Sequence, residues 1–188
     1  MSAESVNRQP LANNNQVRIV AVVALAVAVG LGLYFGLHRS SKGPAAHKTS
    51  AIGPVLYNAA NLKKAARFYH AKFFWAGPQP GYGYEFTRNP LGYMFVRYLP
   101  SGVQVGAPGA NFLIISTYPI AGAYQALKQK AKGRAITQPD GSIVFIDPQH
   151  RTSVYVAFPG VDQQVEVYDP KPTVALQTAE SGNIALVP

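Results

Sequence analysis

The chain has 188 residues, a formal net charge of +9 and no cysteine. Without cysteine it forms no disulfide, carries no lipid on a cysteine and offers no thiolate to a metal. Segment 43–188 holds 13 basic and 7 acidic residues, a charge density well below the roughly 25% of an average soluble domain, and Tyr, Gly and Pro fill the gap.

Residues 1–16 are polar, rich in Asn and Gln and without periodicity, which predicts a short disordered N-terminal tail. From Ile19 to Leu37 the run is uncharged and almost wholly apolar. A helix of that length rises about 28 Å and satisfies its own backbone, close to the hydrocarbon thickness of a bilayer, so a single transmembrane helix is predicted over 17–38. A cleaved signal fits less well: its apolar region is shorter and small residues follow it, whereas here Tyr34, Phe35, His38 and Arg39 stand at the end. Ala24, Ala28, Gly32 and Gly36 recur every four residues, a packing face for a second copy of the helix and so a route to a homodimer. Arg8 and Arg18 before the run nearly balance Arg39, Lys42 and Lys48 after it, so positive charge alone sets no firm orientation. The sparsely charged, Tyr-rich composition favours a domain outside the cytoplasmic membrane.

Residues 39–54, with Ser40, Ser41, Gly43, Pro44, Gly53 and Pro54, read as a flexible juxtamembrane linker. That leaves 55–188 as one extracytoplasmic domain. A helix is predicted from Tyr57 to Ala71, with Leu62, Ala66 and Tyr69 on one face and Lys63, Lys64 and Arg67 on the other. Phe73-Phe74-Trp75 is a short strand stopped by Gly77 and Pro78, and the runs Tyr84 to Arg88 and Tyr93 to Leu99 pair about an Asn89-Pro90-Leu91-Gly92 turn. Phe112 to Tyr118 is a buried central strand, and Ala121 to Lys132 a helix stopped by Gly133. Strands at 135–138, 142–147, 153–158 and 163–168 follow as a meander around a Pro139-Asp140-Gly141 turn, and 171–181 forms a last helix capped by Gly182. The sum is α+β: a mostly antiparallel sheet with two or three helices on one face.

Catalytic signals are lacking. There is no His-x-x-x-His pair, no carboxylate cluster and no Gly-x-Ser-x-Gly, so no metal, cofactor or catalytic residue is predicted and the reading is non-enzymatic. Gly81 and Gly83 precede a strand rather than joining strand to helix, which makes them turn residues and not a phosphate cradle. His150 lies in a hairpin loop.

Binding signals are of three kinds. Strand alternation puts Glu85 and Thr87 on one face, and a register that sets Glu85 opposite Arg97 gives a cross-strand ion pair; the alternative is a polar pocket of Glu85, Arg88, Arg97 and Glu166. Trp75, Tyr82 and Tyr84, set among Gly and Pro, suggest an aromatic contact surface for an envelope protein or a cell-wall glycan. Two basic clusters, Lys63, Lys64 and Arg67, then Lys128, Lys130 and Lys132, attract polyanions. Nucleic acid requires a cytoplasmic orientation and is disfavoured, while anionic lipid is compatible with both sides.

Five segments, Phe73 to Pro78, Gly83 to Arg88, Val96 to Pro100, Ser153 to Phe158 and Gln164 to Pro170, resemble an uncharacterised family of membrane-anchored or secreted actinobacterial proteins. The resemblance spans about residues 55–180. It implies a recurring domain and an envelope location, and it transfers no residue role. The expectation is therefore a single-pass membrane protein with a non-enzymatic envelope domain for binding or assembly. The alternative is a cytoplasmic-facing basic domain that holds nucleic acid or anionic lipid at the membrane.

Overall fold

The structure, a computed structural model, describes residues 49–188. The predicted tail, the transmembrane helix with its Ala24, Ala28, Gly32 and Gly36 face, and the linker up to residue 48 lie outside the described residues. Among the described residues no helix is long and apolar enough to cross a membrane.

In chain order the elements are β1 (Ile52–Tyr57), α1 (Ala59–Phe68), β2 (Phe74–Trp75), β3 (Tyr82–Arg88), β4 (Met94–Pro100), β5 (Ile114–Pro119), α2 (Ala123–Ala131), β6 (Ile136–Thr137), β7 (Ile143–Ile146), β8 (Ser153–Ala157), β9 (Gln163–Tyr168), α3 (Pro172–Glu180) and β10 (Ala185–Leu186). Eight strands make one antiparallel sheet in the order β1-β3-β4-β5-β9-β8-β7-β6, and β2 pairs with β10 as a separate ribbon. The predicted hairpin forms β3 and β4, and the predicted central strand is β5, held between β4 and β9.

Both faces of the sheet are covered. On the first, Tyr84, Phe86, Val96, Ile115, Val154 and Val165 pack under α1, α3 and the β2–β10 ribbon. On the second, Ile143, Phe145, Tyr155 and Ala157 meet Leu127 and Ala131 of α2. The helices are thus split between the faces, two on one and α2 on the other, which corrects the one-sided layer expected from the sequence. Double coverage also explains why β8 is buried at all five positions instead of alternating.

The domain begins earlier than the composition suggests. Ile52 pairs with Arg88 and Val55 with Phe86 across a bulge, and the Thr49 N–H donates to the Pro90 carbonyl at 3.1 Å. Gly53 and Pro54, which read as spacer residues, sit instead in an edge strand, where proline's missing N–H breaks no ladder and a bulge absorbs the irregularity. Helix α1 starts two residues later than predicted because Asn58 caps it, its side chain accepting the Asn61 N–H at 2.8 Å.

Candidate functional site

Glu85 and Arg97 face one another across β3 and β4. Arg97 Nη1 donates to Glu85 Oε1 at 2.6 Å, and the side chains are only 6% and 2% exposed. The other carboxylate oxygen accepts the Gly106 N–H at 2.6 Å. Arg97 Nη2 reaches back to the carbonyls of Ala107 at 2.9 Å and Gly109 at 3.3 Å, with the guanidinium carbon 5.0 Å from the Phe112 ring centre. The pair is a clamp that holds the long β4–β5 loop against the second face. The alternative pocket is not assembled. Arg88 lies on the first face, where its Nε donates to the Ser50 carbonyl at 3.0 Å, and Glu166 stands on β9, three strand spacings or about 14 Å from β3.

The predicted aromatic surface is also mostly interior. Trp75 is 4% exposed and Tyr84 2%, with their rings edge to face at 5.6 Å and Lys63 Nζ 5.8 Å above the indole. The Tyr84 hydroxyl accepts the Gln79 N–H at 2.7 Å, and the Tyr98 hydroxyl accepts the Ala76 N–H at 2.8 Å while donating to the Gly77 carbonyl at 3.0 Å. These tyrosines strap the chain from Ala76 to Gln79 onto the sheet. Burial pushes the Tyr98 phenol well above its ordinary value, so it stays a neutral donor. Tyr82 alone of the three is open, at 41%.

The two basic clusters lie on opposite faces of the sheet. On α1, Lys64 and Arg67 point to solvent while Lys63 covers Trp75. Lys128 on α2 and Lys132 just past its end are exposed, whereas Lys130 turns to Asp147 at 3.9 Å. Partial burial lowers the Lys130 ammonium pKa, and Asp147 opposes that shift.

Glu166, apart from the other members of the alternative pocket, is buried in the middle of the second face. On β9 it lies between Ser116 of β5 and Tyr155 of β8, is 1% exposed, and accepts the Tyr118 hydroxyl at 2.6 Å. Desolvation raises its carboxyl pKa, against the hydrogen bonds from Ser153 and Tyr118. Desolvation and the nearby carboxylate raise Tyr118 and Tyr155 in turn. Gln164 Nε2 is buried there without a hydrogen-bond partner, which costs stability. Val165 and Val167 point to the first face, and Gln164 and Glu166 to the second. The latter two are buried on the side where α2 packs against β8 and β9.

Glu166 has a pH consequence. With its pKa raised in the folded state, the native protein keeps a proton that the unfolded chain releases. That stability is fully present below the ordinary carboxyl value of 4.5 and is lost as pH rises through the folded value. Urea midpoints measured against pH should therefore fall above about pH 4.5 more steeply in the wild type than in Glu166→Gln, which is expected to be the more stable of the two at neutral pH. Parallel profiles would remove Glu166 as the cause.

The surface is most apolar around β1. Phe68 is 77% exposed, Leu56 45% and Val55 37%. Leu56 borders two shallow grooves. One runs to Tyr82, Leu99 and Pro100; the other, of about 440 Å³, lies against α1 and includes Lys64 and Phe68. Among the described residues no group of three His, Asp or Glu side chains is placed to hold a metal. No family model, curated protein or solved structure matches the chain.

Proposed function

We propose that the chain is a single-pass membrane protein presenting a non-enzymatic α+β domain outside the cytoplasmic membrane, where it binds or assembles with envelope protein or cell-wall polymer. The observation that carries this reading is the pair of exposed apolar side chains Phe68 and Leu56, which line one groove on the two elements that directly follow the predicted anchor and linker. Exposed aromatic and aliphatic side chains gathered in one place mark interaction surfaces more often than isolated ones do. In this proposal the patch replaces Trp75 and Tyr84 as the contact surface. The apolar run from Ile19 to Leu37, the low charge density and the family resemblance supply the location.

Topology is the first test. The chain lacks cysteine, so a single Ser50→Cys variant reports one position without background. Labelling by a membrane-impermeant thiol reagent is expected in intact cells whose wall has been made permeable. Labelling only after lysis would turn the domain inward and favour the second reading, a basic domain at the cytoplasmic surface, for which Lys64 and Arg67 are the exposed cations next to the patch.

A further inference from the structure

We infer that the outer face of α1 seats the domain on the bilayer, with Phe68 entering the boundary between headgroups and acyl chains and Lys64 and Arg67 lying among anionic headgroups. This rests on the anchored reading above. Phe68 closes α1 with 77% of its surface in water, although the same helix buries Leu62, Ala65 and Ala66. Lys64 is one turn before it on the same side, and the two line one groove. An aromatic ring bordered by Lys and Arg on the solvent side of a helix is the composition of an interfacial helix.

The charge distribution points the same way. From residue 5 to residue 84 the sequence contains no Asp or Glu. Glu85, the first acidic residue after Glu4, is buried against Arg97. Helix α1 and the strand before it therefore present Lys64 and Arg67 with no carboxylate of their own, which is complementary to an anionic surface.

Chain length keeps that surface close. Eleven residues, 38–48, separate the apolar run from the first described residue, and they reach at most about 40 Å when fully extended. A folded unit of this size has a radius of gyration of about 14 Å and is roughly 37 Å across. The domain cannot stand much farther from the bilayer than its own width, so even weak seating is populated at the high effective concentration that the tether imposes.

A second copy pairing along β1 fits less well. Gly53, Pro54 and the bulge between Ile52 and Val55 interrupt that edge, and such devices blunt edge-to-edge association.

The test uses the full chain reconstituted into vesicles whose acyl chains carry bromine, a short-range quencher of indole. The protein has one Trp, the buried Trp75, so wild type is the control for a Phe68→Trp variant. In vesicles containing anionic lipid, the indole introduced by Phe68→Trp is expected to lose on the order of half its emission, with Trp75 spared, and the loss should shrink when Lys64→Gln and Arg67→Gln are added and at high salt. Flotation in alkaline carbonate separates the premises. A chain that does not float with the vesicles overturns the anchored reading and this inference with it. One that floats while the introduced indole emits as a fully hydrated one overturns the seating alone. Unquenched, blue-shifted emission from the introduced indole that grows with protein-to-lipid ratio also overturns it, and assigns the patch to a second copy.

Discussion

Replacing Trp75 with alanine is expected to destabilise the domain by about 3–5 kcal/mol, the range for truncating a large aromatic in a packed core. The indole is 4% exposed, lies edge-on to Tyr84 and carries Lys63 over its ring. It also belongs to β2, whose two residues are held by Ala185 and Leu186 of β10 and by a hydrogen bond from the Phe74 N–H to Thr117 Oγ1 at 2.9 Å. Removing the ring opens a void under a ribbon with few other attachments, so the C-terminal strand should loosen first. Urea midpoints will show the loss in ΔG. Hydrogen exchange at Val187, whose N–H donates to the Phe73 carbonyl at 2.9 Å, will show the loosening. Tyr82→Ala, at a position 41% exposed, should change stability by less than about 1 kcal/mol. Equal costs at the two positions would mean that Trp75 is not packed as described.

The contrast between Trp75 and Tyr82 shows where the sequence is readable. Strand periodicity places β3, β4 and β9 and offers the Glu85–Arg97 pair as one of two readings, because alternation and turn chemistry are local. Turns behave likewise: Asp140, whose side chain accepts the Ser142 N–H at 2.9 Å and the Ser142 hydroxyl at 2.7 Å, follows directly from Pro139-Asp140-Gly141. Trp75 does not, since the strand that pairs with its own arrives 110 residues later with Ala185. Tyrosine density is visible in the sequence, but its use is not. Tyr84 and Tyr98 are internal straps for residues 76–79, and Tyr118 serves a carboxylate 48 residues away. Glu166 is obscured for a related reason. Val165 and Val167 mark one buried face, and nothing in β9 tells that α2 packs against the other. Phe68 escapes a pattern reading from the opposite direction, as an apolar residue in an amphipathic helix that the fold leaves outside.

Arg97→Met is expected to cost about 3–5 kcal/mol, because it leaves Glu85 buried and without its counter-charge. The same change frees the carbonyls of Ala107 and Gly109 from their donor, so the thirteen-residue stretch from Ser101 to Leu113 between β4 and β5 loses its main attachment. Replacing both partners separates these effects. In Glu85→Leu/Arg97→Met no buried charge remains, and apolar substitutes for a buried pair are often neutral or stabilising, so most of the lost stability should return. The loop should not recover, since neither Leu nor Met can accept the Gly106 N–H or donate to the two carbonyls. Limited proteolysis is therefore expected to cut the double variant within 101–113 faster than wild type at equal global stability. A double variant as unstable as Arg97→Met would mean that the pair supports the sheet itself. One whose loop stays protected would mean that Phe112 and the flanking strands hold the loop without the clamp.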